Sequence, residues 1–214
     1  MAIELTKSTA VSMATLPDDF DDGDKDCPVY ILGSSEDVDR MDEDFWIRNK
    51  IIGVNRTCTH KYSKHMDYWI ALDAMLQFKD FCNNDEKTTK FVHYPYRTDP
   101  RLLHIHNGYF YSTFDGDKPV NRDFRAGIKS CGHTICSAMS LAYALGYKDI
   151  RFRGVNCCVR RDGPQYYDSD GALGVSARKS INAYYKQVRA DMDRKSIPEL
   201  RALGCTFTNE SEPI

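Results

Sequence analysis

Four short apolar runs recur along the first half of the chain at intervals of about 20 residues, and their spacing is the strongest constraint on its fold. They are 28–33 (PVYILG), 50–55 (KIIGVN), 66–73 (MDYWIALD) and 90–95 (KFVHYP). Each has the length of a strand and closes on glycine, proline or a polar residue. Within each run the apolar residues are continuous rather than alternating, so both faces must be covered. Helix-capable stretches lie between most of them, including a mixed acidic segment at 36–48 anchored by Phe45 and Trp46. That alternation predicts an α/β fold, a single Rossmann-like domain with a mainly parallel sheet flanked by helices.

The rest of the chain extends the pattern. The segment 102–114 (LLHIHNGYFYSTF) contains Asn107-Gly108 and predicts a hairpin or an irregular strand pair. A helix is expected over 131–146, with Ile135, Met139, Ala142 and Tyr143 on one face and Gly146 as its stop. It feeds a fifth strand at 147–156. A patternless stretch, 157–174, is a candidate lid; a long helix at 176–195 and a last strand at 204–209 follow. Residues 1–26, rich in aspartate between 18 and 26, are expected to be a flexible acidic tail, leaving 27–214 as the Rossmann-like α/β domain.

Composition excludes several classes. Twenty-nine Lys and Arg against 31 Asp and Glu leave a charge of −2, so no global basic field recruits nucleic acid, and any polyanion site must be local. No stretch approaches the roughly 18 consecutive apolar residues of a membrane span. The weak apolar patch at the N-terminus is too short for a secretory signal, which predicts a cytoplasmic protein. The eight cysteines contain no C-x-x-C pair and read as reduced thiols rather than disulfides or a zinc site.

In open parallel sheets ligands bind beyond the carboxyl ends of the strands. The candidate residues are therefore those the strands deliver there: Gly33, Ser34 and Ser35, then Asn55 and Arg56, then Asp73, then Gly154, Val155 and Asn156. The approach to the helix at 131 (Ser130, Cys131, Gly132, His133) supplies free N–H groups and a positive dipole end for an anion. The Gly33 loop is neither G-x-G-x-x-G nor a Walker loop, and it is compatible with a plain turn. Asn55 could simply cap a helix, and Asp73 could satisfy a loop amide. His133 sits where a helix N-terminus favours neutral imidazole, the form that accepts a proton. In the lid stretch, Arg160 and Arg161 suit a diphosphate, and the Tyr166 and Tyr167 hydroxyls could donate to a leaving phosphate. His104 with His106, and His60 with His65, lack a third ligand at metal spacing.

The order of the Gly-Ser loop, GVN, DYWIALD, the segment 130–156 (SCGHTICSAMSLAYALGYKDIRFRGVN) and GCTFTNES resembles the sialyltransferase-like superfamily, which includes the MptE-like proteins. The resemblance spans roughly 28–211, apart from 96–128. It implies that Gly33, Ser34 and Ser35 lie against a nucleotide, that Asn55 contacts its sugar or phosphates, and that Ser130, Cys131 and Gly132 line its base or phosphate. It also sets Tyr166 or Tyr167 near the leaving phosphate. The chain departs from the family pattern at the first loop, which lacks Gly-x-Gly-Pro-Ser. It has Asn156 in place of an aspartate and Cys131 in place of a serine, and 168–178 carries no histidine.

The expected function is a glycosyltransferase-like enzyme taking a nucleotide-activated sugar donor, with His133 or Asp73 as base and Asp73 as holder of Mg²⁺ if the leaving group is a diphosphate. The alternatives are an MptE-like diphosphokinase and a nucleotide-binding module without catalysis. The acceptor is open between a glycan and a modified nucleic acid, the latter suggested by Arg151, Arg153, Arg160 and Arg161, and self-association into a homo-oligomer is also open.

Overall fold

The computed structural model describes residues 11–12, 25–72, 78–96, 99–102, 105–116, 118–123, 127–155 and 175–211. Its strands are β1 (Val11–Ser12), β2 (Val29–Leu32), β3 (Lys50–Val54), β4 (Tyr68–Ala71), β5 (Thr89–His93), β6 (Gly108–Tyr111), β7 (Thr113–Phe114), β8 (Ile128–Lys129), β9 (Asp149–Arg153) and β10 (Thr206–Asn209). The helices are α1 (Glu36–Asp39), α2 (Glu43–Arg48), α3 (Lys79–Asn84), α4 (Thr134–Ala144), α5 (Val175–Asp191) and α6 (Ile197–Ala202). Eight strands form one sheet in the order β1-β6-β5-β4-β3-β2-β9-β10, with every pairing parallel. β7 and β8 make a separate parallel pair.

Alternation along the strands sends residues to two cores. Val29, Ile31, Ile52, Ile70 and Phe91 pack with α4 on one face, and Tyr30, Leu32, Ile51, Trp69 and Val92 pack beneath α1 to α3 on the other. The sheet is thus covered on both sides, as its continuous apolar runs require. α4 is made of small residues and is buried nearly all round, so it can lie close against β2, β3 and β4. It ends at Gly146 (φ 90°), where Tyr147 N–H bonds back to Ala142 O at 3.0 Å.

Several local expectations are corrected. The 36–48 segment is two helices, because Asp42 starts α2 by accepting from Phe45 N–H at 2.8 Å. Asn107-Gly108 makes no hairpin: Asn107 takes φ 47° and launches β6 parallel to β5, carrying the sheet outward. The long C-terminal helix breaks at Asp191 into a π-helical turn, Met192–Ser196, before α6. Within 1–26, Val11–Ser12 pairs with the β6 edge, and Lys25 bonds to Gly146 O and Leu145 O. No helix among the described residues is long and apolar enough to cross a membrane.

Candidate functional site

The sheet grows from β2 to β6 on one side and resumes at β9 on the other, so its switch point lies between β2 and β9. Ligand crevices open at such points because the flanking loops diverge. Here the loops instead touch. Gly33 N–H donates to Arg153 O at 2.8 Å, and a Cβ on Gly33 would lie 2.1 Å from Gly154 O. Gly154 has φ +67°, and a Cβ there would lie 2.3 Å from Val38 Cγ2. The buried Asp37 carboxylate accepts from Gly154 N–H at 2.9 Å and from Ser35 Oγ. The first turn of α1 therefore fills the switch point.

The opening is displaced by one strand, to a shallow recess between the β2 and β3 loops lined by Gly33, Ser34, Ser35, Val38, Asp39, Thr57 and His60. Behind it Thr57 Oγ1 meets the carbonyls of Leu32 and Val54, tying the two strand ends together. Asn55 adopts φ 49°, a left-handed conformation that asparagine tolerates, and Trp69 Nε1 donates to its carbonyl at 2.8 Å. The buried atoms Ser34 Oγ and Asn55 Oδ1 have no hydrogen-bond partner among the described residues. Arg56 follows in the same turn, where Thr59 Oγ1 bonds to its carbonyl. His60 stacks on Trp46 (4.6 Å, 7°), its Nδ1 accepts from Tyr62 N–H, and its Nε2 lies 3.6 Å from Asp39. Burial holds the His60 pKa below the usual histidine value, against the pull of Asp39.

A second cluster surrounds the start of α4. The short turn 145–148 joins α4 to the first residue of β9, so the C-terminus of α4 lies at the amino ends of the strands. Its length, about 16 Å, matches that of the strands and brings its N-terminus to the carboxyl rim. Cys131 (φ 48°) and Gly132 (φ 75°) make the left-handed bend that enters the helix. Ser130 Oγ donates to Asp115 Oδ1 at 2.8 Å, and Gly132 N–H reaches the same oxygen at 3.2 Å. A carboxylate thus already occupies part of the bend expected to hold an anion. The first turn of the helix itself remains, where N–H groups have no intrahelical acceptor.

His133 is buried, with Nε2 3.0 Å from Asp191 Oδ2 and Nδ1 3.4 Å from the Tyr184 hydroxyl. Asp191 can only accept, so it draws the imidazole proton to Nε2 and leaves the Nδ1 lone pair toward Tyr184, which is 52% exposed. Lys195, Gln187 and His133, in that order, hold the Asp191 carboxyl well below the usual carboxylate range. The π-helical turn sets Lys195 and Ser196 on either side: Lys195 Nζ lies 2.7 Å from Asp191, and Ser196 Oγ lies 3.7 Å from Cys131 Sγ. Such turns collect at functional sites because they shift side chains out of helical register.

Of the sequence-predicted residues, Gly33, Ser34, Ser35, Asn55 and Arg56 come together at one pair of strand ends, and Ser130, Cys131, Gly132 and His133 at one helix start. Asp73, Asn156, Arg160, Arg161, Tyr166 and Tyr167 lie outside the described residues, as does His104. Arg151 and Arg153 project from β9 into ion pairs with Asp149 and Glu210, so they contribute no free cationic patch. The His106 carbonyl accepts from Lys90 Nζ at 3.1 Å. Among the described residues no three His, Cys, Asp or Glu side chains converge as a metal site.

Sequence reasoning missed Asp37, Asp39, Thr57, Tyr184, Asp191 and Ser196, and weighed His60 only as a metal ligand with His65. Asp37 carried a local signal, standing two residues after Ser35, which holds the N-cap position of α1 and turns its hydroxyl to Asp37. Asp191 carried none, because its partner is 58 residues away. His93 was also missed: its Nδ1–H donates to Leu72 O at 2.9 Å and its Nε2 lies 3.3 Å from Thr113 Oγ1, so both nitrogens are engaged at the end of β5. A scan against protein-family models finds no match to this chain, and neither does a search of curated proteins.

Proposed function

We propose that the carboxyl rim binds a nucleotide-activated sugar and transfers the sugar to an acceptor hydroxyl. The observation that carries this reading is the pair of buried oxygens without a partner among the described residues, Ser34 Oγ in the lining of the recess and Asn55 Oδ1 at the adjacent strand end. Leaving two polar atoms dry is costly, about 1–3 kcal/mol each, unless a ligand completes them. With Asp39 on the recess wall, these atoms match the hydroxyls of a ribose or hexose better than a phosphate, which a carboxylate would repel. The α4 N-terminus on the same rim is the complementary element, able to stabilise the negative charge of the leaving phosphate.

In the reaction the acceptor oxygen bonds to the anomeric carbon, and the bond from that carbon to the phosphate oxygen breaks with its electron pair. The acceptor proton passes to His133 Nδ1, while Asp191 holds the ring through Nε2 and steadies the imidazolium that forms. For this the Tyr184 hydroxyl must give way to the acceptor. That same hydroxyl, standing on Nδ1, favours a second reading, a nucleotide-binding module without turnover.

Incubation with CMP-, UDP- and GDP-sugars, following nucleotide release, tests the pair. Transfer predicts turnover on one donor, lowered about 10²- to 10⁴-fold in His133→Asn with donor binding retained. Donor binding without release, unchanged by that substitution, would establish the second reading.

A further inference from the structure

The Tyr184 hydroxyl stands where the transfer reaction needs an acceptor oxygen. It lies 3.4 Å from His133 Nδ1, and the two rings meet edge to face at 5.6 Å and 76°. Asp191 Oδ2, 3.0 Å from Nε2, draws the ring proton to that nitrogen, so the phenol O–H donates to the lone pair on Nδ1. Gln187 and Lys195 also hold the Asp191 carboxylate, at 2.9 and 2.7 Å, and fix its position. Hydroxyl, imidazole and carboxylate form a chain in the order of a nucleophile, its base and the group that orients the base.

Core packing does not account for this placement. Tyr30, Tyr111 and Tyr147 are buried in the two cores, and Tyr185, the next residue, packs against one of them, whereas Tyr184 is 52% exposed. His133 is the N-cap residue of α4, so the phenol oxygen also stands at the helix end that would take up the charge of a leaving phosphate. An attacking oxygen and a leaving phosphate belong close together, on opposite sides of one anomeric carbon, with reacting atoms about 3–3.5 Å apart.

We propose that Tyr184 is itself an acceptor: with no other acceptor present, the chain transfers the sugar of a bound nucleotide-sugar to its own phenolic oxygen. This rests on the transfer reading and names an acceptor for it. The Tyr184 oxygen bonds to the anomeric carbon, the bond from that carbon to the phosphate oxygen breaks, and its electron pair leaves with the nucleotide. The phenolic proton passes to His133 Nδ1 and from the imidazolium to solvent. Phenols suit such a base, since they ionise near pH 10 against about 15.7 for water. A separate acceptor has first to displace the Tyr184 hydroxyl from Nδ1, whereas Tyr184 is already in place. Each chain reacts once, because the modified tyrosine has no hydroxyl proton left to give.

The test incubates the full chain with CMP-, UDP- and GDP-sugars and no added acceptor, following nucleotide release and peptide mass together. With one donor, the tryptic peptide 180–186 (SINAYYK) is expected to gain the mass of one sugar, placed on Tyr184 by fragmentation, as an equal amount of nucleotide is released. Tyr184→Phe keeps the ring and removes the oxygen, so it abolishes the gain while the donor still binds. His133→Asn slows the gain about 10²- to 10⁴-fold. Nucleotide release with peptide 180–186 unchanged, or a sugar on Tyr185 instead, would overturn the inference and leave donor cleavage at the rim standing. No release from any donor, with or without an added acceptor, would overturn both.

Discussion

At the scale of single residues, two glycines and one histidine govern the rim. Gly154 holds a left-handed backbone and leaves no room for a Cβ beside Val38. Gly154→Ala is expected to lower stability by about 1–3 kcal/mol from backbone strain, with the contact to Val38 adding to it. Gly33→Ala drives a Cβ into backbone rather than a side chain and is expected to cost more. Urea midpoints order the two. His60 gives a pH prediction. Its folded pKa is depressed, so its contribution is fully present above the unfolded value of about 6.5. As pH falls below that value the unfolded chain takes up the proton first, and stability drops until the folded site itself titrates. Wild type should therefore lose more stability than His60→Phe between pH 7.5 and 5.5, measured by urea unfolding. Equal losses would remove His60 from the account.

At the scale of elements, the strands were legible because apolar runs bounded by turn residues need no knowledge of their partners. β2, β3 and β4 fall within their predicted runs, and β5 begins one residue before its own. α4 was legible too, through the face of Ile135, Met139, Ala142 and Tyr143 and through Gly146. Short-range chemistry was harder. The Asp42 cap that splits 36–48 lies hidden in an acidic run, and Asn107-Gly108 suits a hairpin, an irregular strand pair or a parallel continuation alike, because each accommodates a left-handed asparagine. Long-range pairing was not legible at all: Asp191 meets His133, and Glu199 meets Lys129, only after the chain has folded. β5 illustrates a cost hidden in a strand-like run. Lys90 is fully buried, its ammonium bonded to the carbonyls of Asp85, Thr88 and His106 and to the Asp85 carboxylate. Burial, the largest influence, lowers its pKa, and Asp85 opposes the shift. Lys90→Met strands those acceptors and is expected to cost about 3–5 kcal/mol, read from the chemical unfolding curve. A loss below about 1 kcal/mol would mean that the β5–β6 turn rearranges to reach water.

At the scale of the whole molecule, the fold sets where chemistry can occur by bringing strand ends and a helix start to one rim. The parallel sheet does this for residues far apart in sequence, from Ser34 to Asp191. The proposed polyhydroxyl and phosphate binding rests on the residue types it gathers, with two oxygens unpartnered among the described residues and a histidine oriented by a buried carboxylate. A thermal-shift panel of CMP, CDP, UDP, GDP, ADP and ATP, each with and without Mg²⁺, tests that claim most directly. A nucleotide held at about 100 times its dissociation constant adds roughly 2.7 kcal/mol, a shift of several degrees. The wild type is expected to show a clear preference for one nucleotide, diminished in Ser34→Ala and Asn55→Ala variants that melt normally without ligand. A wild-type melt that no nucleotide moves would contradict it.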